Sequence, residues 1–321
     1  MEQRAILVTG GAGFIGSEFV RQASVSDKYS KIFVVDSLTY ASDLNRIRKE
    51  IERNQIELVK ADVQDTHQYL TALKESAFVI HFAAETHVDN SITNGKPFLS
   101  TNVLGTYNLL EAARLHSISK ILIVSTDEVY GSTEHGSFLE NDSLNPSSTY
   151  SASKSAADLL ALAQFKTFQQ SIIIARSVNN YGPFQHSEKF IPNAIYKILA
   201  GKKISLYGDG QNVREWIHVS DHVSALNTLL ESGIPGEIYN IGSGELYSNL
   251  EIAVRLLKLL DSSPDCIEYV TDRKGHDYRY ALNSSKVRDK FGWSPKINFE
   301  TGITNLVEFS KSEFLREKIK N

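Results

Sequence analysis

"VTGGAGFIG", residues 8–16, joins an apolar run to the head of an amphipathic segment. The run it completes, "AILVT" (5–9), is rich in β-branched residues and reads as a buried strand. Gly10, Gly13 and Gly16 follow at once, spaced G-x-x-G-x-x-G, one residue wider than the common dinucleotide fingerprint. The physics is the same. Glycine permits a tight turn and close approach of the backbone, and a pyrophosphate's charge is met by the helix N-terminus. Asp36 closes the next run, "KIFVVD" (31–36), about twenty residues on, where an acid binds the adenosine ribose hydroxyls and repels a 2′-phosphate. The unit predicts NAD rather than NADP. Asp62, in "ADV" (61–63), fits either a place at the adenine or the cap of a helix.

Further strand candidates are "IELVKA" (56–61), "FVIHF" (78–82), "KILIVS" (120–125) and "SIIIAR" (171–176). Helix-length segments lie between several of them, notably 98–115 and 150–168, with apolar residues three and four apart. Strands buried on both faces and joined by helices predict an α/β fold, a Rossmann-type doubly wound parallel sheet covered on each side. Beyond about residue 180 glycine and polar turns thicken ("YGPFQ", "YGDGQN", "NIGSGE"), with helices expected near 188–200, 219–231 and 249–260. The expected division is a dinucleotide-binding part, 1–180, and a smaller C-terminal α/β substrate lobe, 181–321, with some segments returning to the main domain.

Composition narrows the partners. The 321 residues are 41% hydrophobic and 22% charged, the balance of an ordinary globular protein. A net charge of −4 gives no electrostatic footprint for nucleic acid or an acidic membrane surface. Cys266 is alone, so no intramolecular disulfide or cysteine-based metal site is possible. The nine histidines show no metal-ligand spacing. Met1 runs almost directly into "RAILVTGG", which leaves no room for a signal peptide, and no apolar run approaches a membrane span. A reducing cytoplasm is the expected location.

Two clusters carry chemistry. In "KILIVSTDEVYGS" (120–132) a buried strand runs straight into Thr126, Asp127 and Glu128, and desolvating adjacent carboxylates is costly unless something uses them. In "STYSASKSAADLLALA" Tyr150 and Lys154 stand at i and i+4 on one helix face. A nearby ammonium favours the phenolate, which would make Tyr150 a base able to take a hydroxyl proton while hydride leaves the same carbon.

Together "TGGAGFIG", "FAAETHVDNSI", "TNVLGTYNLLEAAR", "STDEVYG", "PSSTYSASK" and "RSVNNYGPFQHSEKFIP" resemble the extended short-chain dehydrogenase/reductase family of nucleotide-sugar enzymes. The likeness continues through "DGQNVREWIHVSDH" and "DRKGHDYRYALNSSKVRDKFGW", and is strongest to the branch that removes water from nucleotide-diphosphate hexoses, dTDP-glucose being favoured. It implies that Tyr150 takes the 4-hydroxyl proton as hydride passes to NAD, with Lys154 tuning the phenol and Thr126 near the C4 oxygen. Glu128 would remove the C5 proton, Asp127, held protonated, would release the C6 hydroxyl as water, and hydride would return to C6. Related epimerases carry small or hydroxyl residues in place of the two acids, because oxidation and reduction at C4 need neither.

The same resemblance implies that Phe14, Ile15, Val63, Ala83, Ala84, Thr101 and Asn180 contact the cofactor. It places Thr86, Asn179, Lys189, Phe190, Arg214, Asn249, Arg273 and His276 at the substrate. Arg214 and Arg273 suit bidentate phosphate contacts. Lys274 stands where proline is usual in "DRxGHD", and "QHSEK" departs from the commoner "FPEK"; both bear on the nucleotide more than on the chemistry. Helices 98–115 and 150–168 match those that pair across a family homodimer, and would equally serve as ordinary sheet cover. The alternatives are a dehydratase or 4-epimerase for another nucleotide sugar, such as a UDP-hexose or UDP-N-acetylhexosamine, and a non-catalytic NAD-binding regulator.

Overall fold

The computed structural model describes residues 4–320; Met1–Gln3, on which the expectation of no leader partly rests, and Asn321 lie outside them. Seven parallel strands form the central sheet: β1 (Ala5–Thr9), β2 (Ile32–Asp36), β3 (Glu57–Lys60), β4 (Ser76–His81), β5 (Lys120–Thr126), β6 (Ile172–Ser177) and, from far along the chain, the strand Ile238–Ile241. Between β6 and that strand come β7 (Asn179–Tyr181), β8 (Ile204–Tyr207) and β9 (Val213–His218), so Ile238–Ile241 is β10; β11 (Leu246–Ser248) and β12 (Ile267–Val270) follow. The sheet order is β10-β6-β5-β4-β1-β2-β3. Every residue of β1, β2 and β6 is buried, as expected where helices cover both faces.

Two hydrophobic clusters flank the sheet, one on each face. The first gathers Val8, Phe19, Val34 and Leu122 with Val223, Leu226 and Leu229; the second gathers Leu7, Phe33, Val35, Leu109, Leu110 and Ile123. A third cluster, centred on Ile191, Ile195, Trp216, Ile252, Leu256 and Phe299, serves the C-terminal part, where β9 pairs with β7 and β11, and β8 with β12.

The expected strands form within a residue or two of their predicted ends. β3 differs in character: it is the sheet edge, and exposed Glu57 and Lys60 blunt it. β10 was not expected, because four residues set among glycine and polar turns carry too little period to read. Its parallel pairing with β6 (Tyr239 opposite Ala175) and the helix Val219–Ser232, packed on the sheet, return the chain to the central layer. The predicted helix 98–115 also differs. It is a continuous turn from Lys96 whose stretch Leu99–Gly105 is widened to π geometry before the α-helix Thr106–Leu115. Such widenings gather at functional sites, and this one carries Thr101.

Candidate active site

The sheet order reverses its direction of growth between β1 and β4, and ligands of such sheets bind at that switch point beyond the strands' C-terminal ends. A cavity of about 420 Å³ opens there. Gly10 makes it possible: its φ is +68°, and a Cβ would lie 2.7 Å from the backbone nitrogen of Ala83. The loop is thereby drawn against the segment following β4. The helix Phe14–Ser24 starts at Gly13 with no side-chain cap and no acid in its first turn, so its N-terminal amides face the cavity free for an anion.

Asp36 is buried at the end of β2. It accepts hydrogen bonds from Ala12 N (2.9 Å), Leu38 N (2.8 Å) and Ser42 Oγ (2.6 Å), which fix the carboxylate at the cavity wall. Asp62 also lines the cavity and accepts from Gln64 N at 2.8 Å in a local turn; Asp65, not Asp62, caps the 3-10 helix that follows. Phe14, Ile15, Gly16, Val63, Ala83, Ala84, Thr101 and Asn180 complete this part of the wall. These groups fit a dinucleotide: a glycine cradle for the pyrophosphate, a fixed acid for the ribose, and small residues where flat rings pass.

Asn180 is held by a buried histidine. The Asn180 amide donates to Val178 O at 2.9 Å, so its oxygen faces His222 Nδ1 at 2.8 Å as the acceptor. Burial pushes His222 down to about 3, and burial with Lys154 nearby does the same to His81 in β4. Both imidazoles are neutral in the fold and would be charged below about pH 6.5 in the unfolded chain. Stability is therefore full above about pH 6.5 and is lost progressively as pH falls toward 3, by up to about 4–5 kcal/mol per histidine. Urea unfolding across this range checks it, and His222→Gln should flatten the slope by about one proton.

β5 delivers the acids. Thr126 ends the strand and accepts from Glu128 N at 3.2 Å, capping the 3-10 turn Asp127–Tyr130; its hydroxyl donates to Asp127 Oδ1 at 3.1 Å. Burial first, and Glu128 second, push the Asp127 carboxyl well above the usual range, which favours its protonated form; its Oδ2 is buried without a partner. Glu128 is also raised by burial, but Arg214, Arg273 and Lys189 pull it back. Unequal surroundings thus divide two adjacent carboxyls into an acid and a potential base.

Tyr150 and Lys154 are buried on the helix Thr149–Phe168, which a Ser148–Ser151 capping box starts. Thr126, beside the Tyr150 phenol, acts to lower it. Contrary to the expectation from the pair's spacing, the phenol is not lowered: burial pushes it upward, and Glu128 and Asp127 add to the effect. Lys154 donates to Val124 O at 2.8 Å, and burial weakens its own ammonium.

The expected substrate residues separate into two groups. Thr86, Asn179, Lys189 and Phe190 line the cavity beside Thr126, Glu128, Tyr150 and Lys154. Arg214, Asn249, Arg273 and His276 are not on that wall, and neither is the expected catalytic acid Asp127. Arg214 spends its fork on the carbonyls of Val213, Asp277 and Tyr278 and lies 4.3 Å from the Tyr280 ring. Arg273 is paired with Asp89 (3.6 Å), and His276 with Asp272 (2.7 Å). Both arginines nonetheless act on Glu128, which lines the cavity. Glu85, Glu188 and His186 also line the cavity; the sequence signal for His186 and Glu188 is the odd "QHSEK" spelling, and Glu85 has none of its own.

The family model described as GDP-mannose 4,6 dehydratase matches residues 7–306. The chain belongs to this family. Among its 4,6-dehydratase relatives, the dTDP-glucose 4,6-dehydratase of Mycolicibacterium smegmatis is 45% identical over 96% of this chain and 93% of its own. The low-salt glycan biosynthesis protein Agl12 of Haloferax volcanii is 43% identical over 95% and 97%. The crystal structure of the dTDP-glucose 4,6-dehydratase DesIV from Streptomyces venezuelae, which has NAD bound, superposes with a TM-score of 0.93 at 41% identity, covering 96% of this chain and 97% of that one. The resemblance drawn from the motifs and the Rossmann-type fold are both borne out. Among the described residues no helix is long and apolar enough to cross a membrane, and no group of His, Cys, Asp or Glu is placed to hold a metal ion.

Proposed function

We propose that this chain is an NAD-dependent hydro-lyase that converts dTDP-glucose to dTDP-4-keto-6-deoxyglucose. One observation carries the reading: Asp127, buried with its carboxyl pushed well up, and Glu128, on the cavity wall with Tyr150, share one turn beside a cavity fitted for a dinucleotide. NAD supplies the acceptor, and afterwards the donor, of the hydride that moves from C4 to C6. Every proton transfer falls to the chain. Tyr150, beside Thr126, takes the proton of the 4-hydroxyl. Glu128 takes the C5 proton, which the new C4 carbonyl has acidified. Asp127 protonates the departing C6 hydroxyl, and Glu128 returns a proton to C5.

Residues 1–180 are assigned mainly to the dinucleotide and 181–321 mainly to the nucleotide sugar, with Arg214 and Arg273 for its phosphates. The nucleotide-diphosphate hexose is the partner, and a second copy of the chain is the proposed dimer mate. Leu99, Tyr107, Leu159 and Phe168 support this, since they leave large apolar side chains exposed on two neighbouring helices. A cytoplasmic location fits the single unpaired Cys266.

Mass spectrometry of the product from dTDP-glucose, with UDP-glucose in parallel, tests the reading. Loss of one water from the dTDP sugar, with no net reduced cofactor, is the expected result. Water loss from UDP-glucose alone would reassign the nucleotide, and unchanged mass from both would remove the dehydratase reading.

A further inference from the structure

Asp277 lies in the stretch 272–280, which also carries Arg273 and His276, and it is buried. One of its carboxyl oxygens, Oδ2, accepts two hydrogen bonds, from the hydroxyls of Tyr280 and Ser147. The first stays within the stretch. The second crosses to the segment entering the helix Thr149–Phe168, since Ser147 directly precedes the capping residue Ser148. The two backbones also meet there: Gly275 has φ +63°, and a Cβ on it would lie 3.1 Å from Ser147 O. The carbonyl oxygen of Asp277 accepts from Arg214 Nη2 at 2.9 Å and from Asn212 Nδ2 at 3.2 Å. The next two amides, of Tyr278 and Arg279, donate to Ser132 Oγ at 3.1 and 3.2 Å, just past the turn Asp127–Tyr130.

A buried carboxyl is costly to desolvate, and an apolar side chain would pack the stretch down without that cost. What Asp277 adds is a fixed relation between parts of the site that come from opposite ends of the chain. A nucleotide-diphosphate hexose is long, with phosphates at one end and the reacting hexose at the other. Hydride transfer needs its atoms about 3–3.5 Å apart, and a misplacement of about 1 Å can cost about 10²-fold. On the reading that Arg214 and Arg273 take the phosphates, we propose that Asp277 is a positioning residue. It clasps the phosphate-binding stretch to the entrance of the helix bearing Tyr150 and Lys154, and so holds diphosphate and hexose in register.

Ser147 is the half of the clasp that can be removed alone. It is exposed, so alanine there opens no cavity, and Asp277 keeps the hydroxyl of Tyr280. The ties of the stretch to β9 also remain, Val213 N donating to Tyr278 O at 2.8 Å and Tyr280 N to Val213 O at 3.2 Å. Ser147→Ala therefore leaves the phosphate site standing and loosens only its link to the helix. Asp277→Ala loosens the stretch as well.

Amide exchange read by mass spectrometry tests this in the NAD-loaded enzyme, with and without dTDP and with UDP in parallel. In the unaltered chain the nucleotide should slow exchange at 272–280 and at 147–152 together. In Ser147→Ala the protection should stay at 272–280 and vanish at 147–152; in Asp277→Ala it should weaken at both. Single-turnover formation of reduced cofactor from dTDP-glucose should fall about tenfold in Ser147→Ala, the worth of one hydrogen bond, with dTDP affinity kept within about twofold. Ser147→Thr, which keeps the hydroxyl, should restore the coupling and the rate. Protection that still reaches 147–152 in Ser147→Ala, or an unchanged rate there, overturns the proposal, and Ser147→Ala decides alone if Asp277→Ala does not fold. A nucleotide that protects 272–280 alone in the unaltered chain, or neither stretch, overturns it too. Coupling lost in Ser147→Ala of a protein that forms no reduced cofactor would uphold the clasp and remove the dehydratase reading instead.

Discussion

Tyr150→Phe is expected to reduce the first hydride transfer by about 10²–10⁴-fold, the usual contribution of a positioned acid–base group. The substitution keeps the ring, its burial and its edge contact with Phe98 at 6.3 Å, and removes only the hydroxyl. Reduced cofactor should then fail to accumulate in a single turnover with dTDP-glucose, while the substrate still binds. Stopped-flow absorbance of the reduced cofactor checks this, and an unchanged rate would take the base role from Tyr150. Burial and the two carboxyls raise the phenol in the cofactor-free protein. The rate of that first step should accordingly climb with pH in the unaltered enzyme. Thr126→Val should slow the same step by removing the hydroxyl beside the phenol.

Glu128→Gln should divide the reaction at its middle. Oxidation at C4 needs no carboxyl, so reduced cofactor should form and persist. Removal of the C5 proton should fall by about 10²–10⁴-fold, and loss of water with it. The amide is close in size, so the turn capped by Thr126 should survive. Exchange of the C5 hydrogen with deuterated solvent gives the cleanest reading. Exchange that continues in Glu128→Gln would move the base elsewhere, with Asp127 next in line. Asp127→Asn should differ in kind: exchange at C5 continues, and water departs slowly, because the missing group is the proton donor to the leaving oxygen.

Those two variants rest on a distinction the sequence could only pose. "STDEVYG" places the acids side by side at a strand end, and nothing in their order says which is held more strongly in the protonated form. The fold decides it by burying Asp127 more deeply and by setting Arg214, Arg273 and Lys189 around Glu128. Spacing along one helix likewise placed Lys154 beside Tyr150, but it could not reveal that burial would overturn the ammonium's effect on the phenol. Arg214 illustrates the same limit. Its type promised a phosphate ligand, while two of its carbonyl partners and the ring of Tyr280 come from a stretch some sixty residues later in the chain.

What the sequence determined by itself was local and repetitive. The β-branched runs of β1, β2, β4, β5 and β6, the glycines after β1, the acid closing β2, and the i, i+4 pair on one helix are each fixed by neighbours a few residues away. Tertiary structure alone decided β10's place beside β6, the widened turn at Leu99–Gly105, the buried pair of Asp158 and Arg176, and the unequal surroundings of Asp127 and Glu128. Desolvation and long-range charge depend on what the folded chain brings together from afar, and no short window of sequence contains both partners.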